Sequence, residues 1–409
     1  MNRNDVTVVQ PRSAPPESLP PESLADCGLV APPTSVPSAE RRDYDHSHHQ
    51  TLRPSFRPCN VRPRLAPTLR VGFITPNLLF GGVEHWLLGL LRHSGPHLSW
   101  SVAVTIPSAI EPEMRAQAEE FAEVDTGEGA VIRLAADIDV MIAWGIHDLA
   151  RWMKDFTGPV VQVSHGFGAW TESFLTANRD AATHSAAVSR AAATAFGHDR
   201  VTIIPNGVDP RRCEPLRPRD IVRREWGLLP HEIAIGFVGR LSPEKNPLAT
   251  SHAVRELGPG YRAVYVGKGY GEDMRPAARD LTPDAIFVPP MQQIGDALHA
   301  LDCLIMASPA EGFSLVLVEG LMAGLPVVAT SVGVVPDLQQ DHGLSLTTVP
   351  VHPTPHQLAS AVREAILPAN RALAQRARAV ALTHYTAETM AQRWRDYLQT
   401  ISRRRSRDD

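Results

Sequence analysis

Cysteine is scarce in this chain: Cys27, Cys59, Cys213 and Cys303 are spread over 409 positions. Their separation suggests neither a zinc site nor a disulfide framework, so a reducing, cytoplasmic setting is expected. A surplus of either charge is also missing. Forty Lys and Arg against 44 Asp and Glu leave a net charge of −4, which argues against a dedicated nucleic-acid binder. No run of 18 apolar residues occurs, so no transmembrane helix is expected. Met1–Gln10 has no apolar run behind its charges and does not read as a secretory signal. The rest is ordinary for globular protein: 43% hydrophobic and 21% charged residues, with length for two or three domains or one very large one.

Proline is plentiful but uneven, with 12 of 36 inside residues 1–67. That stretch has no sustained apolar periodicity and nearly balanced charge, and reads as a disordered, Pro-rich tail. His46, His48 and His49 belong to it and read as solvated tail. At Leu69 the texture changes. Residues 70–75 predict a buried strand, Gly81-Gly82 a turn, and 83–92 a helix with Val83, Trp86, Leu87, Leu90 and Leu91 at helical spacing. The alternation continues with strands at 100–106, 139–144, 160–164, 186–189 and 201–204. Helices are expected at 111–121, 147–156 and 190–196. It restarts after the charged, Pro-containing stretch 209–218. Strands then fall at 232–239, 262–266, 285–288, 303–307 and 326–329, and helices at 248–257, 273–281, 294–300 and 314–322. Residues 361–402 read as helical. The expected class is α/β, with two doubly wound, Rossmann-like domains joined near 207–220. Ligands of such sheets bind at the carboxyl ends of strands, so motifs that follow a strand carry the most weight.

Five segments meet that condition. Ser308-Pro-Ala-Glu-Gly-Phe-Ser-Leu-Val-Leu-Val-Glu319 follows a strand and opens a helix. Ser314 is a candidate N-cap, and the backbone N–H groups of Phe313, Ser314 and Leu315 would form an anion site at the helix start. Glu311 and Glu319 flank it. Carboxylates accept hydroxyls, so two of them beside a phosphate site fit a nucleotide sugar. Gly236-Phe-Val-Gly-Arg-Leu-Ser-Pro-Glu-Lys-Asn246 sets Arg240 and Lys245 on one loop, two cations suited to a diphosphate without a metal. Gly81-Gly82 lets backbone approach a ligand, but reads equally as a tight turn and lacks the dinucleotide fingerprint. His165, in Val163-Ser-His-Gly-Phe-Gly168, is a sugar contact or a structural histidine. Asn206-Gly207 reads first as a turn on the hinge side, in a position to line the cleft. Gly267-Lys-Gly-Tyr-Gly271 lacks the ending of a P-loop, and no metal-ligand cluster, His-Glu-x-x-His or Gly-x-Ser-x-Gly is found.

Taken together these segments resemble the family-4 retaining glycosyltransferases, which have the GT-B fold. The likeness is carried by Gly81-Gly82-Val-Glu84, Val188-Ser189, Ile204-Pro-Asn-Gly-Val-Asp209, Val238-Gly-Arg-Leu-Ser-Pro-Glu-Lys245, Val266-Gly-Lys-Gly269, Ala310-Glu-Gly-Phe-Ser-Leu-Val-Leu-Val-Glu-Gly320 and Met322-Ala-Gly-Leu-Pro-Val-Val-Ala329. It covers about residues 69–400. It implies an acceptor-side domain over 68–207, a donor-side domain over 208–385, and a final segment, 386–409, that crosses back through Met390, Trp394, Tyr397 and Leu398. The implied catalytic set is Arg240, Lys245, Glu311 and His165. The implied donor-binding set is Gly82, Gly239, Gly312, Phe313, Ser314, Leu315 and Glu319, with Glu319 on the ribose. No metal and no cofactor is implied. A UDP- or GDP-linked sugar is the expected co-substrate, and a carbohydrate, lipid-linked or small-molecule hydroxyl the acceptor. Arg403-Arg404-Arg405 is a candidate contact with an anionic membrane on the cytoplasmic face. The chain departs from the family at Gly333-Val-Val-Pro-Asp337, where Gly-Gly-x-Pro-Glu is common, a departure that bears on donor preference. It departs again at Ser314, where Gly is common. A nucleotide-sugar epimerase, a phosphorylase holding pyridoxal phosphate, and a non-catalytic binding subunit remain alternatives at this point.

Overall fold

The computed structural model describes residues 69–405, except Phe80, 270–272 and Gln292. The expected tail, 1–67, lies outside the described residues. Two parallel sheets form the frame. The first joins β1 (Leu69–Thr75), β2 (Leu98–Val104), β3 (Ala122–Thr126), β4 (Val140–Ala143), β5 (Val160–Ser164), β6 (His184–Ala187) and β7 (Thr202–Ile203), in the order β3-β2-β1-β4-β5-β6-β7. The second joins β8 (Ile233–Val238), β9 (Tyr261–Val266), β10 (Ile286–Val288), β11 (Cys303–Met306), β12 (Val327–Thr330) and β13 (Thr347–Val349), in the order β10-β9-β8-β11-β12-β13. This is the GT-B architecture, two Rossmann-like α/β lobes.

Both faces of each sheet are covered, so the central strands are apolar throughout rather than alternating. β4 and β11 are buried at every position. On the first lobe the covering helices are α1 (Gly82–His93), α2 (Pro112–Glu119), α3 (Glu128–Asp137), α4 (Ala169–Ala177) and the short α5 (Arg190–Ala193). On the second they are α6 (Arg219–Glu225), α7 (Leu248–Leu257), α8 (Arg275–Leu281), α9 (Gly295–Ala300), α10 (Leu315–Met322), α11 (Val335–His342), α12 (Pro355–Ala365) and α13 (Arg371–His384). The last helix, α14 (Ala387–Arg405), belongs to the core of the first lobe. Met390, Ala391, Trp394, Leu398 and Ile401 make one buried stripe at helical spacing. Trp394 meets Trp86 of α1 with ring centroids 5.6 Å apart.

Several elements differ from expectation. The segment 147–156 holds only a single turn of 3₁₀ helix, Leu149–Arg151. Residues 361–402 are not one helix: Pro368 opens a 3₁₀ turn between α12 and α13, and the chain is extended again before α14. The pair β3 and α3 was not expected. Asn206-Gly207 is less a turn than a close approach. The two stretches that link the lobes run side by side here, with the Val208 amide donating to the Tyr385 carbonyl and the Ala387 amide to the Val208 carbonyl, both at 2.9 Å. A Cβ on Gly207 would overlap the carbonyl of Thr386.

The lobes also share apolar packing. Phe174, Val188, Ala192 and Phe196 of the first lobe lie in one buried cluster with Phe313, Leu317, Val334 and Tyr385 of the second. Cys213 and Cys303 are buried thiols, and burial pushes Cys303 up to about 12. No helix of the described residues is long and apolar enough to cross a membrane.

Candidate functional site

The strand order of the second sheet reverses direction between β8 and β11, which pair directly. Crevices open at such a switch point, beyond the carboxyl ends of the two strands. The loop after β8 carries Gly239, Arg240 and Lys245. The loop after β11 carries Ser308, Glu311, Gly312, Phe313 and Ser314. Both border one cleft of about 500 Å³, which Gly82, His165 and Leu315 also line. Ten of the eleven expected site residues therefore meet in one place.

At its centre Lys245 Nζ donates to both carboxylate oxygens of Glu311, each at 2.8 Å. Ser308 Oγ donates to Glu311 Oε1, also at 2.8 Å. Glu311 is buried, so these three hydrogen bonds replace its lost water. The ammonium has three N–H groups and spends two here, leaving one for a ligand. Arg240 stands apart. Its guanidinium is half exposed, with Glu244 3.7 Å away, a loose surface pairing that a stronger anion displaces.

The α10 helix begins directly beyond this pair, and the amides of its first turn lack intrahelical acceptors. Ser314 does not cap it as expected. Its backbone is left-handed, φ +81°, and its Oγ turns back to the Met306 sulfur at 2.8 Å. A left-handed backbone explains why glycine suits this position. Gly312 is fixed by the opposite lobe: a Cβ there would overlap the carbonyl of His165, and the Ser189 hydroxyl donates to the Gly312 carbonyl. The Val334 amide donates to the Phe313 carbonyl at 3.0 Å. The loop that holds Glu311 is thus pinned from both lobes.

His165 lies in the cleft wall with its ring packed against Trp86, centroids 4.6 Å apart. Burial pushes it down to about 3, so it is neutral at ordinary pH. A neutral imidazole can still exchange a hydrogen bond with a sugar hydroxyl, the contact expected of it. Its Nε2 is buried with no partner among the described residues.

Glu319 is the expected residue that falls outside this cleft. It lines a neighbouring cavity of about 470 Å³, on the other side of Leu315, which borders both. There Arg212 Nη2 lies 3.2 Å from Glu319 Oε1. Arg212 belongs to no motif and lies 107 positions away, so nothing local to Glu319 points to it. Asp337 is not in the cleft either. It faces the first lobe, where its Oδ2 accepts from the Arg190 amide at 3.0 Å, while the Arg190 guanidinium bridges to Asp341 at 2.8 Å. The Asp337 departure therefore bears on how the lobes are clamped.

Glu84 closes the motif Gly81-Gly82-Val-Glu84. It is a buried carboxyl on the first turn of α1, and burial pushes it up to about 6 against the hydrogen bonds and the Arg240 charge that favour its anion.

Residues 232–367 match the family model described as Glycosyl transferases group 1. Among curated proteins the chain is similar to D-inositol 3-phosphate glycosyltransferase of Mycobacteroides abscessus, 35% identical over 167 residues, covering 38% of this chain and 37% of that protein. It is also similar to GDP-mannose-dependent alpha-mannosyltransferase of Mycobacterium tuberculosis, 34% identical over 175 residues, 41% of this chain and 43% of that protein. The aligned stretch thus spans less than half the length of these relatives. Among solved structures, Anabaena HepE in complex with UDP aligns over 81% of this chain and all of that one, with TM-score 0.70 and 20% identity. WaaG, a glycosyltransferase involved in lipopolysaccharide biosynthesis, aligns over 80% of this chain and 99% of that one, with TM-score 0.60 and 17% identity.

Proposed function

We propose that this chain is a glycosyltransferase that takes a hexosyl group from a nucleoside diphosphate sugar, UDP- or GDP-linked, and delivers it to an acceptor hydroxyl with retention at the anomeric carbon and without a divalent metal. The observation that carries the reading is the Lys245–Glu311 pair, set beside Arg240 at the start of α10. The matched family domain and the GT-B neighbours point the same way.

The roles follow from what each group has left to give. Arg240, the third N–H of Lys245 and the α10 amides face the departing diphosphate, where negative charge grows as the anomeric C–O bond lengthens. Glu311 Oε1 already accepts two hydrogen bonds, whereas Oε2 accepts one and keeps a lone pair for a sugar hydroxyl. The sugar passes through an oxocarbenium-like state. The acceptor oxygen bonds to the anomeric carbon, and its proton goes to the departing phosphate oxygen. In this reading Gly82 and Gly239 let backbone approach the diphosphate, and Glu319 receives the ribose in the second cavity.

The test is release of nucleotide from UDP- and GDP-sugars, with and without EDTA, and the anomeric configuration of any glycoside formed. Arg240→Ala is expected to lower turnover by about 10²–10³, the scale of losing one preorganised donor to a developing anion. Glu84→Gln is expected to lower it far less. Equal and small losses for the two variants, or turnover abolished by EDTA, contradict the reading.

A further inference from the structure

The first lobe carries an aromatic edge that runs out of the cleft. Phe167 lines the cleft with Arg240 and Glu311, yet is 38% exposed, and Trp170, three residues on, is 53% exposed. Trp86, Trp100 and Trp394 are buried. Large exposed apolar groups beside a cleft mark a binding surface. Trp170 is held in place: its ring lies 5.0 Å from Phe174 and 5.7 Å from Trp144, both at steep angles. Trp144 in turn stands 6.1 Å from the His165 ring, edge to face. A ladder of packed rings therefore leads from the cleft wall to an open indole.

The polar groups beside that indole are ones that exchange hydrogen bonds with hydroxyls. His147 Nε2 and Ser173 Oγ are exposed and 3.0 Å apart. Ser173 Oγ also donates to the Trp170 carbonyl at 2.8 Å, which fixes this pair next to the indole. An apolar face rimmed by hydroxyl-binding groups is the complement of a pyranose, which has an apolar C–H face and a rim of hydroxyls.

We propose that Phe167 and Trp170 form an acceptor subsite for a neutral pyranose ring, stacked so that one of its hydroxyls reaches the cleft. The proposal rests on the glycosyltransferase reading for the meaning of acceptor, but the stacking is tested without turnover. Saturation-transfer NMR on the full chain uses methyl glucopyranoside, methyl mannopyranoside and methyl galactopyranoside as probes. At least one is expected to receive saturation at the ring protons of one face. That signal is expected to fall at least about fivefold in Trp170→Ala and to persist in Trp170→Phe, as stacking on an aromatic face requires. The melting shift caused by nucleotide sugars is expected to be the same in all three proteins.

No saturation of any probe in the natural chain, or equal saturation in Trp170→Ala, overturns the subsite. So does binding to phosphatidylglycerol vesicles that depends on Trp170 while no glycoside is saturated. A glycoside signal without any nucleotide-sugar shift leaves the subsite standing and sinks the activity reading instead.

Discussion

Glu84 stores a pH dependence that the sequence motif does not reveal. Its carboxyl is pushed from 4.5 to about 6, chiefly by burial. Between those values the unfolded chain ionises while the folded chain still holds the proton. Stability therefore falls as pH rises through that window and stays lower above it. Glutamine at this position has no proton to lose. Glu84→Gln is expected to gain up to about 2 kcal/mol over the natural chain at pH 7.5 and nothing at pH 4.5. Melting curves at the two pH values check this, and a gain confined to pH 4.5 contradicts it. His165 has the opposite sign. Its folded value, about 3, lies below the ordinary 6.5, so stability is lost as pH falls below 6.5.

At this scale the sequence was legible where a residue's place is set by its own loop. Arg240, Lys245 and Glu311 follow strand ends and could be picked out for that reason. Roles set by distant partners were hidden: Arg212 on Glu319, and Arg190 on Asp337 and Asp341, join residues more than a hundred positions apart. Ser314 misled because its serine is a good cap in general, whereas its left-handed backbone prevents capping here.

At the scale of elements, the alternating apolar runs were enough for the central strands, which are buried on both faces. β3 escaped because Ala122–Thr126 sits at the sheet edge, with no fully buried position and only Ala122 and Val124 apolar. The paired linkers also escaped, since no pattern in residues 204–209 announces that Tyr385 and Ala387 lie alongside. Gly207→Ala tests that pairing. A methyl group there meets the Thr386 backbone, so the linkers must part and the Val208 hydrogen bonds weaken. The expected cost is about 2–4 kcal/mol, combining overpacking with two strained buried hydrogen bonds. Denaturant unfolding reads it as a lowered midpoint at unchanged slope, and an unchanged midpoint contradicts the pairing of the linkers.

At the scale of the whole molecule, the two lobes are joined by more than their linkers. The shared apolar cluster, the Arg190 clamp and the contact of Gly312 with His165 hold the Glu311 loop from both sides. Resemblance implied two lobes facing a cleft, but no sequence pattern indicated that residues of the first lobe fix the loop of the second. A ligand that fills the cleft touches both lobes, so its binding must stabilise the whole assembly rather than one half.

The central claim is that this cleft binds a nucleoside diphosphate sugar through Arg240 and Lys245. The most direct measurement is the melting temperature of the full chain against UDP-, GDP-, ADP- and dTDP-sugars, with no metal added, for the natural protein and Arg240→Ala. A ligand that binds only the folded state must raise the melting temperature. The account predicts a rise with one nucleotide class, lost in Arg240→Ala. No rise with any donor in a folded sample, or an equal rise in both proteins, would contradict it.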